Sequence, residues 1–212
     1  MCKNAPVMKR TGTARERNRR SILDAASEVL RQDPEATLDD VATRAGVVRR
    51  TVYGHFANRQ ALLVALVHSA AADFVAEVGD VDPAADDPAA ELAGAVLRTW
   101  STARRHGPLV TLARRTMDDE VRAAMAPFAE LMSRLIAHGQ RAGVFSRHVD
   151  ATILREVLEA GSTTYLRAAE GGRWDGDETD VALGHLLSLG VAPEAARNAV
   201  RRASGAAPSP RR

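Results

Sequence analysis

Apolar residues in this chain recur three and four positions apart over most of its length, the spacing that gathers side chains on one face of an α-helix. Ile22, Ala26, Val29 and Leu30 fall on one such stripe, with Arg20, Asp24, Glu28 and Arg31 between them. Leu62, Leu66, Ala70, Phe74 and Val78 make a second. Between Ala89 and Ala203 nothing alternates with period two for long enough to make a strand. Aromatic residues supply only 4% of the chain, so its core must be built mainly of Ala, Leu and Val. Such a core suits helices better than sheets, where β-branched and aromatic side chains pack best. The expected fold class is all-α, with about nine or ten helices.

Punctuation divides those helices. Asp33-Pro34 stops the first, since a residue before proline is pushed out of the helical region. Thr37 with Asp40 three positions later is an N-terminal cap opening a short helix through Arg44, which Ala45-Gly46 ends. A second short helix is expected over about 48–55, and Asn58 caps a longer one over 58–78. Residues 79–90 carry turn chemistry. Helical patterns then resume at 89–105, 108–116, 118–142, 150–170, 178–189 and 193–202, separated by Gly107-Pro108, Gly143, Gly171-Gly172 and Gly190. The resulting plan has a flexible basic arm over 1–13 and a three-helix domain over 14–60. The helix over 58–78 connects this to a C-terminal helical bundle over 79–203, and residues 204–212 read as a disordered tail.

Charge is uneven along the chain. Residues 1–60 hold 12 Lys and Arg against 7 Asp and Glu, whereas residues 61–212 hold 17 against 20. A basic end on a mildly acidic body is the electrostatic footprint of nucleic-acid binding. The single cysteine, Cys2, excludes an internal disulfide or multi-cysteine metal site and suits a reducing cytoplasm. Residues 1–20 lack the apolar core of a signal peptide, and the run from Ala61 to Ala72 is too short to span a bilayer. No cofactor, metal site or membrane partner is expected, and the expected location is cytoplasmic. Nor is an enzyme: the six histidines include no pair at metal spacing, and no nucleophile elbow or phosphate loop is present.

Two short helices joined by a glycine turn, Thr37 to Phe56, have the spacing of a helix-turn-helix, whose second helix lies in the major groove of DNA. Leu38, Val41, Ala42, Val47 and Val52 fall where the pair must face its support, leaving Arg49, Arg50, Thr51, Tyr53 and His55 pointing outward. The run TLDDVATRAGVVRRTVYGHFANRQALL resembles the DNA-binding domain of the TetR family of one-component transcription regulators. The match lies in Thr37, Val41-Ala42, Ala45-Gly46-Val47, Thr51, Tyr53, His55-Phe56, Arg59 and Leu62. The resemblance implies that Thr51, Tyr53 and His55 grip phosphates, with Thr51 also near base edges. It likewise implies that Arg59 meets a phosphate at the N-terminus of its helix, where the dipole favours an anion. Arg49 and Arg50 are expected to read bases, since a guanidinium can bond guanine O6 and N7 together, with plain phosphate neutralisation the alternative for either. Val48 departs from the family, which has Ser or Thr there; valine cannot cap, at a cost of about 1 kcal/mol.

The resemblance thus makes 14–60 the expected DNA-binding domain and 79–203 the expected ligand-sensing and dimerisation domain, which matches the family loosely. Met125, Phe128, Met132 and Leu135 form a stripe around Pro127, which removes one hydrogen bond and is expected to kink the helix. Such stripes build cores as well as deformable apolar pockets. The ligand-binding set is expected to be Trp100, Met125, Phe128, Met132 and Leu158. The segment 138–145 resembles the turn leading into the family's dimer helices, which would be 150–170 and 178–189 here. Ile153, Leu154, Val157, Leu158, Gly161, Tyr165 and Leu166 make the first of these too apolar for one buried side. The expected partners are double-stranded operator DNA, a second copy of the chain and a small apolar effector that releases the DNA. The expected function is a ligand-responsive transcriptional regulator, of the repressor kind usual in the family. A helical-bundle enzyme and a DNA-binding dimer without a ligand are the alternatives.

Overall fold

The computed structural model describes residues 13–205. Among them are nine helices and no strand, and the chain divides into two compact units between Leu66 and Val67. The expected arm and tail lie outside the described residues except at their inner ends, where Thr13 caps the first helix and Ser204 and Gly205 close the last.

In the first unit, α1 (Ala14–Gln32) opens with a capping box: Thr13 Oγ1 accepts from the Glu16 amide at 3.2 Å and Glu16 Oε2 accepts from the Thr13 amide at 2.7 Å. Its buried face is Ile22, Leu23, Ala25, Ala26 and Leu30. A second capping box, Thr37 with Asp40, starts α2 (Leu38–Ala45). Gly46, with φ of 66°, ends α2 in the left-handed region that a side chain rarely tolerates. The next helix, α3 (Arg49–Tyr53), is shorter than its sequence pattern suggests, and Val48 supplies no side-chain cap. With neither a capping bond at its start nor a long apolar face, α3 depends on Val52, fully buried, for its position. Asn58 Oδ1 accepts from the Ala61 amide at 2.8 Å, starting α4 (Arg59–Glu77), whose residues belong to both units. As a continuous helix α4 outruns the apolar segment in the sequence and is long and apolar enough to cross a membrane. A core helix has the same composition, and Leu62, Leu63, Leu66, Val67, Ala70 and Ala71 are buried.

The second unit continues with α5 (Pro88–Arg114), α6 (Asp118–Arg141), α7 (Ala151–Glu170), α8 (Glu178–Ser188) and α9 (Pro193–Ala203). Gly107-Pro108 was expected to separate two helices, yet α5 runs through both. The clash that bars helix before proline involves the preceding residue's Cβ, which Gly107 lacks. The open side is filled instead by Leu166 of α7, whose Cδ1 would stand 3.0 Å from a Cβ at Gly107. Leu109 and Ala113 beyond the proline are buried and hold the continuation in place. Likewise α6 passes through Pro127, which is exposed. Leu92, Leu135, Ile136, Phe145, Leu154, Leu186 and Leu189 make the centre of this unit's core.

Candidate functional site

The helix-turn-helix is held from beneath by Val41, Ala42, Val52 and Phe56, all at most 2% exposed. With that face spent, the residues between point outward. Arg49 and Arg50 are exposed, and Tyr53 is 51% exposed despite its large apolar ring. Thr51 and His55 are half-buried, the His55 ring lying 6.1 Å from that of Phe56. An outward Arg-Arg-Thr-x-Tyr set on a short helix can donate to phosphate oxygens and base edges alike.

Two internal contacts constrain that set. Arg49 is ion-paired to Asp39 of α2. Arg59 donates from Nε to the Ala36 carbonyl at 3.2 Å and from Nη2 to the Pro34 carbonyl. Through these bonds Arg59 holds the loop between α1 and α2, a role the sequence did not suggest. The reason is geometric: the guanidinium fork meets two carbonyls that Pro34 and the end of α1 leave without helical partners. Neither contact follows a helical repeat, and no sequence signal marks them. Nearby, Arg44 pairs with Glu28, and Arg19 lies 5.5 Å over the Phe56 ring. The Thr37 hydroxyl, and after it the Thr37 amide, hold the Asp40 carboxyl below the usual carboxylate range, so the capping box stays charged.

The five expected ligand-binding residues differ in their settings. Met132 and Leu158 are 7% and 8% exposed within the core of the second unit, and Phe128 packs against that core. Phe128 also meets Phe74 at 5.6 Å. Trp100, 4% exposed, stands edge-on to Trp174 at 6.1 Å, in a separate aromatic group that continues to Tyr165 and His185. Met125 is half-buried. A surface cleft of about 380 Å³ lined by Gln140, Arg141, Arg147 and Asp150 includes none of the five. Sequence reasoning missed Phe74, Trp174 and His185, whose partners lie far along the chain. It missed as well a polar seam joining α4 to α5: Thr102 donates to Glu77 Oε1, and His106 Nε2 lies 3.0 Å from Asp73 Oδ2. Among the described residues no group of three or more His, Cys, Asp or Glu is placed to hold a metal.

Residues 22–66 match the family model of bacterial regulatory proteins of the tetR family. Over 53 residues the chain is 55% identical to the HTH-type transcriptional repressor LfrR of Mycolicibacterium smegmatis, an alignment covering 25% of this chain and 28% of that protein. The match to this curated relative thus spans well under two thirds of its length. Among solved structures, that of the TetR-like regulator LfrR from Mycobacterium smegmatis in complex with proflavine is 29% identical. It covers 84% of this chain and 96% of that one, with a TM-score of 0.66. FadR from Bacillus subtilis, solved in complex with stearoyl-CoA, is similar in fold at 16% identity, covering 80% and 97% of the two chains with a TM-score of 0.68.

Proposed function

We propose that the chain is a cytoplasmic transcriptional repressor of the TetR family of bacterial regulatory proteins, whose model matches residues 22–66, and not an enzyme. It binds an operator as a dimer and leaves it when a small, largely apolar molecule occupies the second unit. The observation that carries the reading is the outward polar face of α3 on a buried Val52 anchor, within the segment that matches the family. Arg49 and Arg50 read bases; Thr51, Tyr53 and His55 grip phosphates. Arg59 acts on DNA through the loop it holds.

Support for the dimer comes from apolar residues that the monomer leaves uncovered. Ile153 and Val157 on α7 are 46% and 50% exposed, and Leu187 on α8 is 41% exposed, while Leu154 and Leu158 of α7 point into the core. A helix apolar on both sides is explained by a partner on the second. Support for a small-molecule effector comes from the ligands named with similar structures, proflavine and stearoyl-CoA. Phe128, Met125 and Trp100 are the residues proposed to face it, with Met132 and Leu158 behind them. Release requires the effector to favour the DNA-incompetent arrangement, typically by about 1–3 kcal/mol. α4, which carries residues of both units, is the element that a bound effector would bias.

In-vitro selection of DNA bound by the full chain tests the reading. An inverted repeat whose half-sites lie one helical turn, about 34–36 Å, or a multiple apart is the expected product. Recovery of no preferred sequence at moderate salt overturns it.

A further inference from the structure

The polar seam between α4 and α5 is incompletely satisfied, and the unmet atoms share one chemical character. Asp73 and Glu77 stand one turn apart on α4, as Thr102 and His106 do on α5. Thr102 spends its only proton on Glu77 Oε1. Asp73 Oδ2 lies 3.0 Å from His106 Nε2, and a carboxylate accepting there takes the proton carried on Nε2. Two buried atoms are left over, Glu77 Oε2 and His106 Nδ1, and among the described residues no group of the chain bonds either. His106 is 8% exposed, so its orphan atom is deep in the unit. Thr99, one turn earlier on α5 and equally buried, donates to the Ala95 carbonyl at 2.8 Å, so within the second unit the unmet buried side-chain atoms among the described residues are those of the seam.

The second Glu77 oxygen only accepts, and Nδ1 accepts when the imidazole carries a single proton, given to Asp73 from Nε2. A buried acceptor without a donor is unfavourable, and two of them beside two carboxylates call for a positively charged donor. The way in is marked by Asp73, whose side chain is 47% exposed. An apolar wall adjoins it, because Phe74 is a helical neighbour of Glu77 and its ring meets Phe128 at 5.6 Å, both half-buried. The geometry points to a ligand site in which Glu77 Oε2 and His106 Nδ1 anchor the N–H groups of an organic cation while its apolar body lies on Phe74 and Phe128. This rests on the effector reading above and gives the effector a chemical class: an amphipathic ammonium or amidinium.

Calorimetry on the full-length protein with decylammonium, decanol and decanoate compares headgroups on one apolar tail, with ethidium as a rigid aromatic cation. At least one cation should bind tenfold or more tightly than decanol and decanoate. Glu77→Gln should remove that preference, whereas Thr102→Val, which frees the carboxylate from its internal donor, should keep or increase it. Binding of neither cation overturns the site, as does equal binding of the three decyl compounds. Equal weakening of the cations by both variants marks Glu77 as merely structural and overturns the site too. If decanoate or decanol releases operator DNA and Glu77→Gln does not alter the response, the cation site falls while the repressor reading stands. If a cation binds through Glu77 without lowering DNA affinity, the site stands and release by this effector class falls.

Discussion

Arg49, the first residue of the recognition helix, is ion-paired to Asp39, the second residue of α2. The guanidinium proposed to read bases is therefore engaged within its own chain, and binding DNA through it would exchange one anion for another. Asp39 keeps its other oxygen, Oδ1, buried and without a partner among the described residues.

Asp39→Asn should release Arg49 and remove a negative charge beside the phosphates. Because Arg49 is 70% exposed and Asp39 31%, the gain is bounded by the roughly 0.2–1 kcal/mol of a surface ion pair, or about a 1.4- to fivefold tighter complex with every sequence. Fluorescence anisotropy across a salt series reads it. Weaker binding would show instead that Asp39 positions Arg49 for DNA.

Arg59→Lys separates the loop-holding role from a phosphate contact. Lysine keeps the charge but not the fork that spans the Pro34 and Ala36 carbonyls. Denaturant unfolding should show a loss of roughly 1–3 kcal/mol, with DNA binding weakened for all sequences alike. A variant with unchanged stability and a flatter salt dependence would assign Arg59 to phosphate.

Val48→Ser should supply the cap that α3 lacks. The expected gain is about 1 kcal/mol in unfolding free energy. No gain would mean that the serine hydroxyl cannot reach the free amides of α3.

Ile153→Glu with Val157→Glu should yield a folded monomer. Both side chains are about half-exposed in the single chain, so charge there is tolerated until a partner covers it. An unpaired buried charge costs roughly 3 kcal/mol or more, a weakening of dimerisation by a hundredfold or beyond. Sedimentation analysis at micromolar concentration gives the answer, and a persisting dimer would move the interface elsewhere.

His185 should make the protein acid-sensitive. Its ring is buried, with Ser162 Oγ 2.8 Å from Nε2, and desolvation lowers its pKa from 6.5 to about 4. The unfolded chain takes up this proton near pH 6.5, the folded chain only near pH 4. Its contribution is therefore full above pH 6.5 and is lost as pH falls through that interval, amounting to roughly 3 kcal/mol. Urea unfolding between those limits measures the slope, and His185→Gln should flatten it.

The first unit was legible in the sequence because its signals are local. Thr37 with Asp40, Ala45-Gly46 and Asn58 each act within four residues, and each occupies its expected cap or turn. Failures occurred where one residue carried the argument against its surroundings. Pro108 was read as a break, but Gly107 before it and buried Leu109 and Ala113 after it favour a continuous helix. The loop contacts of Arg59, with carbonyls 23 and 25 residues away, lie outside what any local pattern states.

By itself the sequence determined the helices, their caps, the helix-turn-helix and the apolar faces, since these depend on propensity and on a period of 3.6 residues. Tertiary structure decided which of those faces meet. It alone set Glu77 against Thr102 and Asp73 against His106, 25 and 33 residues apart, and Trp100 against Trp174. It alone left Ile153 and Val157 outside while sending Leu154 and Leu158 inside. The physical reason is that a helix pattern states which residues share a side, whereas the environment of that side is a property of the helices packed against it, and charge pairing, desolvation and unmet hydrogen bonds all arise there.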